Sequence, residues 1–292
     1  MPSTTSSRVR RSLIALASTL GLAAAWTGVG AAPAHAAAGL PTPSHIVVVV
    51  EENHSYGQII GSKNAPYINS LAKGGANLTQ MYAETHPSQP NYYDLFSGAT
   101  QGITDDSCIT PGFSSAANLG SELIAAGKPW VSYNESLPYQ GDTVCTSGAT
   151  YAQKHNPWFG FSNVPYSTAD TFTQFPTDYT TLPPVTFITP NLDDDMHDGT
   201  VKQGDSWLQT NLGAYATWAK SNNSLLVVTW DEDDGTSGNH VATVLYGQPV
   251  TSGSSSSATY NHFSLLRTIE DMEGLPYAGS SATASDITGI WN

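Results

Sequence analysis

Five consecutive residues, Ile46-Val47-Val48-Val49-Val50, are β-branched, and the run stops abruptly at Glu51-Glu52-Asn53-His54-Ser55-Tyr56-Gly57. A β-branched run this short and unbroken fits a strand covered on both faces, the kind found in parallel sheets flanked by helices. In such sheets the carboxyl ends of the strands open onto the crevice where ligands bind. Carboxylates and an amide at that end are oxygen donors suited to a hard cation. A solvated strand-to-helix loop has the same composition, so the stretch gains meaning only from what converges on it.

The pattern recurs. Residues 184–190 read as a second buried strand, followed by Asn191-Leu192-Asp193-Asp194-Asp195-Met196-His197-Asp198, and 225–230 as a third, followed by Asp231-Glu232-Asp233-Asp234-Gly235. Residues 77–83, 129–133 and 241–246 also read as strands. Helices are expected over 65–72, from Ser88 to the residue before Gly98, over 116–126, over 204–220 with Asp205 or Ser206 as cap, and over 263–272. Residues 141–179 read as a long aromatic loop region, 251–259 as a Ser-rich surface loop, and the Ala, Ser and Thr tail as poor in core-forming residues. Alternating strands and helices give an α/β fold with a mostly parallel sheet. Strands of a parallel sheet share one carboxyl edge, so acidic clusters far apart in sequence can meet there.

Arg8, Arg10 and Arg11 precede an apolar stretch from Leu13 to Trp26 and small residues ending Ala34-His35-Ala36, the layout of a secretory signal over residues 1–36. The apolar run is too short and too interrupted to span a membrane. Residues 37–292 then form one domain, with seven basic residues (10 less 3) against 24 acidic ones, a net charge of −17. That charge argues against nucleic acid or an anionic membrane surface as partner, since both need a basic footprint. Cys108 and Cys145 lie in the exported part, where an oxidising compartment favours a disulfide. A catalytic thiol is disfavoured because neither cysteine has an activating histidine beside it.

Ser88 is the candidate nucleophile, at a helix amino end where free N–H groups attract an anion such as phosphate. A serine hydroxyl needs a base or a metal to activate it. No Gly-x-Ser-x-Gly elbow is present, which disfavours a Ser-His-Asp triad and leaves a metal held by Glu52, Asn53, Asp231 and Glu232 as the activator. Asn91 is a candidate donor to a phosphate oxygen. His197 is a candidate to bind phosphate or protonate the leaving oxygen, and His155 is a weaker one in the aromatic loop. His262 opens the last helix, where capping is the plain alternative. His45, His54, His86 and His240 read as structural or surface residues, and Asp233 and Asp234 as solvated charge.

Taken in order, Glu51 to Tyr56, His86-Pro87-Ser88-Gln89-Pro90-Asn91-Tyr92, Lys154-His155-Asn156-Pro157, Thr189 to Asp198, Trp230-Asp231-Glu232 and His262 to Asp271 resemble the secreted phosphoesterase family of acid phosphatases and bacterial phospholipases C, within the alkaline-phosphatase-like superfamily. The resemblance implies a three-layer α/β/α sandwich and a hydrolase of phosphoric esters, acting on a small phosphorylated substrate through a phosphoserine at Ser88. It implies one divalent metal on Glu52, Asn53, Ser88, Asp231 and Glu232, with Asn91, His155 and His197 around the phosphate. The superfamily's second metal would recruit Asp193, His197 and His262. Oxygen ligands fit Mg, Ca or Mn, and recruited histidines fit Zn or Fe. The chain is short beside the larger phospholipases C, which favours a monoester over a phospholipid headgroup. A phospholipase C or other phosphodiesterase on the same site is the rival enzyme, and a secreted calcium-binding or adhesive module the rival of another class.

Overall fold

The buried run forms β1 (His45–Glu51), followed by α1 (Tyr56–Ile59), α2 (Pro66–Gly74), β2 (Ala76–Leu78) and β3 (Met81–Tyr82). Next come α3 (Ser88–Ser97), α4 (Leu119–Ala125), β4 (Trp130–Asn134) and three short strands, β5 (Thr146–Ser147), β6 (Tyr151–Ala152) and β7 (Ala169–Thr171). The last third holds β8 (Val185–Thr189), α5 (Val201–Ala219), β9 (Ser224–Trp230), β10 (His240–Val241), β11 (Thr243–Gly247), β12 (Ser254–Ser256), β13 (Tyr260–Asn261) and α6 (His262–Glu273). This computed structural model describes residues 1–4 and 39–292. The arginines, apolar stretch and cleavage site of the proposed signal lie outside the described residues.

Eight strands build the main sheet in the order β12-β2-β11-β9-β1-β8-β4-β7, and only the two pairings of β11 are antiparallel. Chain connections run from β1 through α2 and from β8 through α5 toward one edge, and through α3 and α4 toward the other. Right-handed crossovers place those two groups on opposite faces. α2 and α5 pack together over β9 and β11, while α3 packs on α6 and α4. β1, at the centre, is buried from Ile46 to Glu51 between β8 and β9.

The helix that begins at Ser88 is held unusually deep, with all ten of its residues buried. Tyr93 and Phe96 enter an aromatic cluster with Trp130, Trp158, Phe161 and Phe187. Such rings bury roughly 150–250 Å² each and fix the helix against the sheet. Gly98 ends it in the left-handed region at φ 67°, and a Cβ there would meet the Ala278 carbonyl oxygen at 2.1 Å, so glycine satisfies two demands at once.

Several expectations change. The strand read over 77–83 is two strands in different sheets, since β3 leaves the main sheet to pair with β10 and β13. The strand over 241–246 divides in the same way into β10 and β11. The Ser-rich loop contributes β12 at the sheet edge, and the aromatic loop region contributes β7 at the other. Thr200, not Asp205 or Ser206, caps α5 by accepting from Gln203 N–H. Asp205, inside α5, instead caps α2 from across the layer, accepting from Tyr67 N–H at 3.1 Å and Ile68 N–H at 2.8 Å. The tail is mostly exposed, as its composition suggested, but Ile287 and Ile290 are fully buried and anchor it to the core. Among the described residues no helix is long and apolar enough to cross a membrane.

Candidate active site

The register of the central strands brings the site together. Glu51 of β1 lies opposite Trp230 of β9, so Glu52 and Asp231 leave the sheet at the same level. The loop after β8 is tied to them by a hydrogen bond from Glu52 N–H to the Asp195 carbonyl at 2.8 Å. Asn53 takes a left-handed turn at φ 54°, which asparagine tolerates, and its N–H donates to Asp231 Oδ1 at 3.0 Å.

Ser88, buried at the start of α3, donates from Oγ to Glu52 Oε2 at 2.9 Å and lies 3.2 Å from Glu232 Oε1. Glu52 Oε1 accepts from the Tyr92 hydroxyl at 2.5 Å and is 3.1 Å from His155 Nε2. His155 Nδ1 in turn lies 3.1 Å from Asp195 Oδ2, and the ring stacks on Tyr92 at 5.1 Å. Glu232 Oε2 meets His86 Nδ1 at 2.7 Å. On the other flank Lys154 Nζ donates to Asp106 Oδ2 at 2.8 Å and sits 3.1 Å from His197 Nε2, while His197 Nδ1 is 2.7 Å from Asp198 Oδ1.

The electrostatics follow from burying so many acids. Burial, then repulsion from Asp231 and Asp195, holds the Glu52 carboxyl well above the usual range. Burial likewise pushes Glu232 up to about 8 and Asp231 up to about 7. Burial first, then Lys154 and His197, holds His155 well below an ordinary imidazole. Protons shared among these groups are what a divalent cation would displace.

The structure gathers Glu52, Asn53, Ser88, Asp231, Glu232 and His155 at one edge, with His197 close by. It gives other placements to the rest. Asn91 accepts from Glu84 N–H and Thr85 N–H and donates to the Thr85 and Pro87 carbonyls, so it braces the 84–87 loop, and its Nδ2 also lies 3.4 Å from Glu232 Oε2, which sets it beside the carboxylate cluster. Asp193 is exposed, and Asp195 is the buried acid of that segment. His262 is not the cap of α6, which is Asn261; its Nε2 holds the Asp231 carbonyl at 2.7 Å. Both ring nitrogens of His197 are engaged, which removes the free donor expected for a leaving group. Asp233 is buried and organises its own loop through the N–H groups of Gly235, Ser237 and Asn239. Cys108 and Cys145 are joined, with Cα atoms 5.6 Å apart.

Tyr92, His86, Lys154, Asp106 and Asp195 were not singled out by sequence. Tyr92 falls four residues after Ser88, on the same helix face, and that spacing was the available signal. His86, Lys154 and Asp195 lie inside the stretches that carry the family resemblance, where no role was assigned to them, and Asp106 lies outside any such stretch.

Two ligand sets emerge for a cation. Glu52, His155 and His197 present ligand atoms within 4.8 Å of one another. The Lys154 ammonium lies against His197 Nε2, and the oxygen donors Glu52, Asp231 and Glu232 stand beside Ser88 on the same edge.

A sequence profile of the phosphoesterase family matches residues 62–276. The chain belongs to that family. Like its relatives it is a hydrolase acting on phosphate esters. A phosphatidylinositol-3-phosphatase of Mycobacterium tuberculosis is 51% identical over 272 residues, covering 92% of this chain and 90% of the relative. Acid phosphatases of Aspergillus fumigatus and Penicillium chrysogenum are 30% and 31% identical over 82% and 73% of this chain, which spans only 57% and 55% of their lengths. Among solved structures, an alkaline phosphatase superfamily protein from Vibrio parahaemolyticus aligns with a TM-score of 0.60 at 12% identity, over 84% of this chain and 71% of the other. Murine ectonucleotide pyrophosphatase/phosphodiesterase 5 aligns at 0.56 and 12% identity, over 82% and 98%. The fold of this phosphoesterase is therefore that of the alkaline phosphatase superfamily.

Proposed function

We propose that this phosphoesterase is a secreted, metal-dependent phosphomonoesterase that works through a phosphoserine at Ser88. The observation that carries the reading is one hydroxyl: Ser88 Oγ, buried at the head of α3, reaches a carboxylate oxygen of Glu52 at 2.9 Å and of Glu232 at 3.2 Å. An alcohol becomes a nucleophile when its proton has somewhere to go, and two acceptors are in range. The names of the relatives, all phosphatases, support a monoester. The signal-like residues 1–36 and the Cys108–Cys145 bridge support export, leaving 37–292 as the working domain.

The residues present fit a divalent ion. Asp231 Oδ2 is buried without a hydrogen-bond partner, and two carboxylates, Glu52 and Glu232, converge on the Ser88 hydroxyl. Glu52, Asn53, Ser88, Asp231 and Glu232 would hold the ion, an all-oxygen set suited to Mg, Ca or Mn. When bound it would lower the pKa of the alcohol and offset charge on the phosphoryl oxygens.

The chain's own groups then act in turn. Ser88 gives its proton to Glu52 or Glu232 as its oxygen bonds to phosphorus and the bond from phosphorus to the ester oxygen breaks. The departing alkoxide takes a proton from solvent at the rim, where His197 and Asp198 are partly exposed. Water next attacks the phosphoserine and releases a proton to solvent as its oxygen bonds to phosphorus; the bond between phosphorus and Ser88 Oγ breaks, Ser88 takes back the proton held by Glu52 or Glu232, and inorganic phosphate leaves. His155, 3.1 Å from Glu52 Oε1 and from Asp195 Oδ2 and stacked on Tyr92, packs against the Glu52 carboxylate at the back of the site.

The test is a panel of phosphate monoesters and diesters, assayed with and without chelator and after metal add-back. Ser88→Ala should lose at least about a thousandfold in kcat with an unchanged circular dichroism spectrum, and acid-quenched parent enzyme should carry one phosphoryl group on the Ser88 peptide. A Ser88→Ala variant with parental turnover ends the proposal.

A further inference from the structure

A phosphate monoester brings negative charge to a site that already gathers Glu52, Asp195, Asp231 and Glu232, with Asp106 on its flank, and the cations that could balance it are few. Among the described residues Lys128 pairs with Glu273, Arg267 with Asp271, and Lys220 bonds the Gly74 carbonyl. Lys63, Lys73 and Lys202 are exposed. Lys154 alone among the described lysines and arginines reaches the pocket, with 17% of its side chain exposed.

Its placement is specified from both sides. An ammonium has three N–H donors. One goes to Asp106 Oδ2 at 2.8 Å, and a second meets His197 Nε2 at 3.1 Å. Asp198 at His197 Nδ1 places the ring proton there and leaves Nε2 to accept. The third donor is free. The other oxygen of Asp106 accepts at 2.9 Å from the N–H of Gln89, the residue that follows the nucleophile. The ammonium is therefore linked to the backbone beside Ser88 through a single carboxylate. The loop carrying Asp106 is itself fastened, because the Gln89 amide, oriented to donate, bonds the carbonyls of Asp105 and Ser107 at 2.9 Å each, and Cys108 is joined to Cys145 on the segment that leads to Lys154.

We propose that Lys154 is the cation that contacts the transferring phosphoryl group, and that Asp106 is the positioning residue that holds it beside Ser88. The inference rests on the phosphoserine reading above. Preorganised charge aimed at phosphoryl oxygens in a partly desolvated pocket acts without reorganisation cost during the reaction. His197 then serves by orienting Lys154, which gives a use to a ring whose two nitrogens are both taken.

The experiment compares parent, Lys154→Met, Lys154→Arg and Asp106→Asn enzymes on p-nitrophenyl phosphate, recording kcat, KM, the inhibition constant of inorganic phosphate and the melting temperature. Lys154→Met should lower kcat about a hundredfold or more and raise the phosphate inhibition constant at least about tenfold. Lys154→Arg should recover part of both, since charge is kept. Asp106→Asn should raise KM and the phosphate inhibition constant by about tenfold while lowering kcat less. A purely structural lysine would change the melting temperature and leave phosphate inhibition unaltered. Should Lys154→Met fail to fold, Lys154→Ala with added ethylammonium replaces it, and recovery of turnover by the amine is the expected result. Parental kcat and phosphate inhibition in Lys154→Met, or no recovery by the amine in a folded Lys154→Ala, overturns the proposal. If Ser88→Ala is inactive in the same series, that failure belongs to Lys154 alone; an active Ser88→Ala would bring down the earlier reading instead.

Discussion

Replacing Tyr92 by Phe deletes one oxygen and keeps the ring that stacks on His155, so it isolates a single hydrogen bond. The hydroxyl sits 2.5 Å from Glu52 Oε1, and burial followed by the Glu52 charge holds its pKa well above that of a free phenol, so it stays a donor at any working pH. A hydrogen bond to a buried charged group contributes about 1.5–3 kcal/mol. Its loss leaves Glu52 Oε1 with only the His155 contact at 3.1 Å and frees the carboxylate to turn away from Ser88. Groups that orient a ligating carboxylate typically change metal affinity or activity by about 10–100-fold. Titrating Mg or Mn into chelator-treated enzyme should therefore show a half-activating concentration raised about 10–100-fold, with kcat at saturation within about tenfold of the parent. Superimposable parent and Tyr92→Phe activation curves would refute the argument, as would activity lost at every ion concentration in a folded protein.

Two further outcomes concern stability. Asp205→Ala leaves the Tyr67 and Ile68 N–H groups at the head of α2 without acceptors, which should cost about 2–4 kcal/mol and lower the melting temperature by roughly 5–10 °C with kcat per folded molecule unchanged; a shift under about 1 °C in calorimetry would contradict the cap. Outside the catalytic cluster, burial raises Glu270 and Glu84 to about 8 and Glu122 to about 9. Each folded value lies above the unfolded one, so the folded chain holds extra protons and stability declines as pH rises from about 4.5 through 8–9. In chelator, the melting temperature should be higher at pH 5.5 than at pH 8.5, and Glu270→Gln should flatten the slope; a melting temperature that is level or rises with pH would sink this account.

What was legible in the sequence was whatever the backbone repeats locally. Ile46 to Val50 announced a buried strand, its sharp polar end announced a crevice, and the same grammar at 184–190 and 225–230 identified three strands that prove to be neighbours in the sheet. Ser88 stood out because Pro90 and Gly98 bracket its helix. The misplacements share a cause: each depends on a partner distant in the chain. Asp205 looked like a cap of its own helix and caps another one. Asn91 looked like a phosphate donor, and its amide also braces the 84–87 loop, a contact that its position in the helix did not announce. Residues 77–83 had the composition of one strand, yet their two halves find partners in different sheets. Tyr92, His86, Lys154 and Asp106 act through contacts that no short window of sequence contains.

The three strands that furnish the acidic edge, β9, β1 and β8, stand side by side in the middle of the sheet. Both margins, from β12 to β11 and from β4 to β7, are free of those acids, so chain can be added to the periphery without shifting the carboxylates around Ser88. The fungal relatives, of which this protein spans little more than half, carry that much more chain than this one.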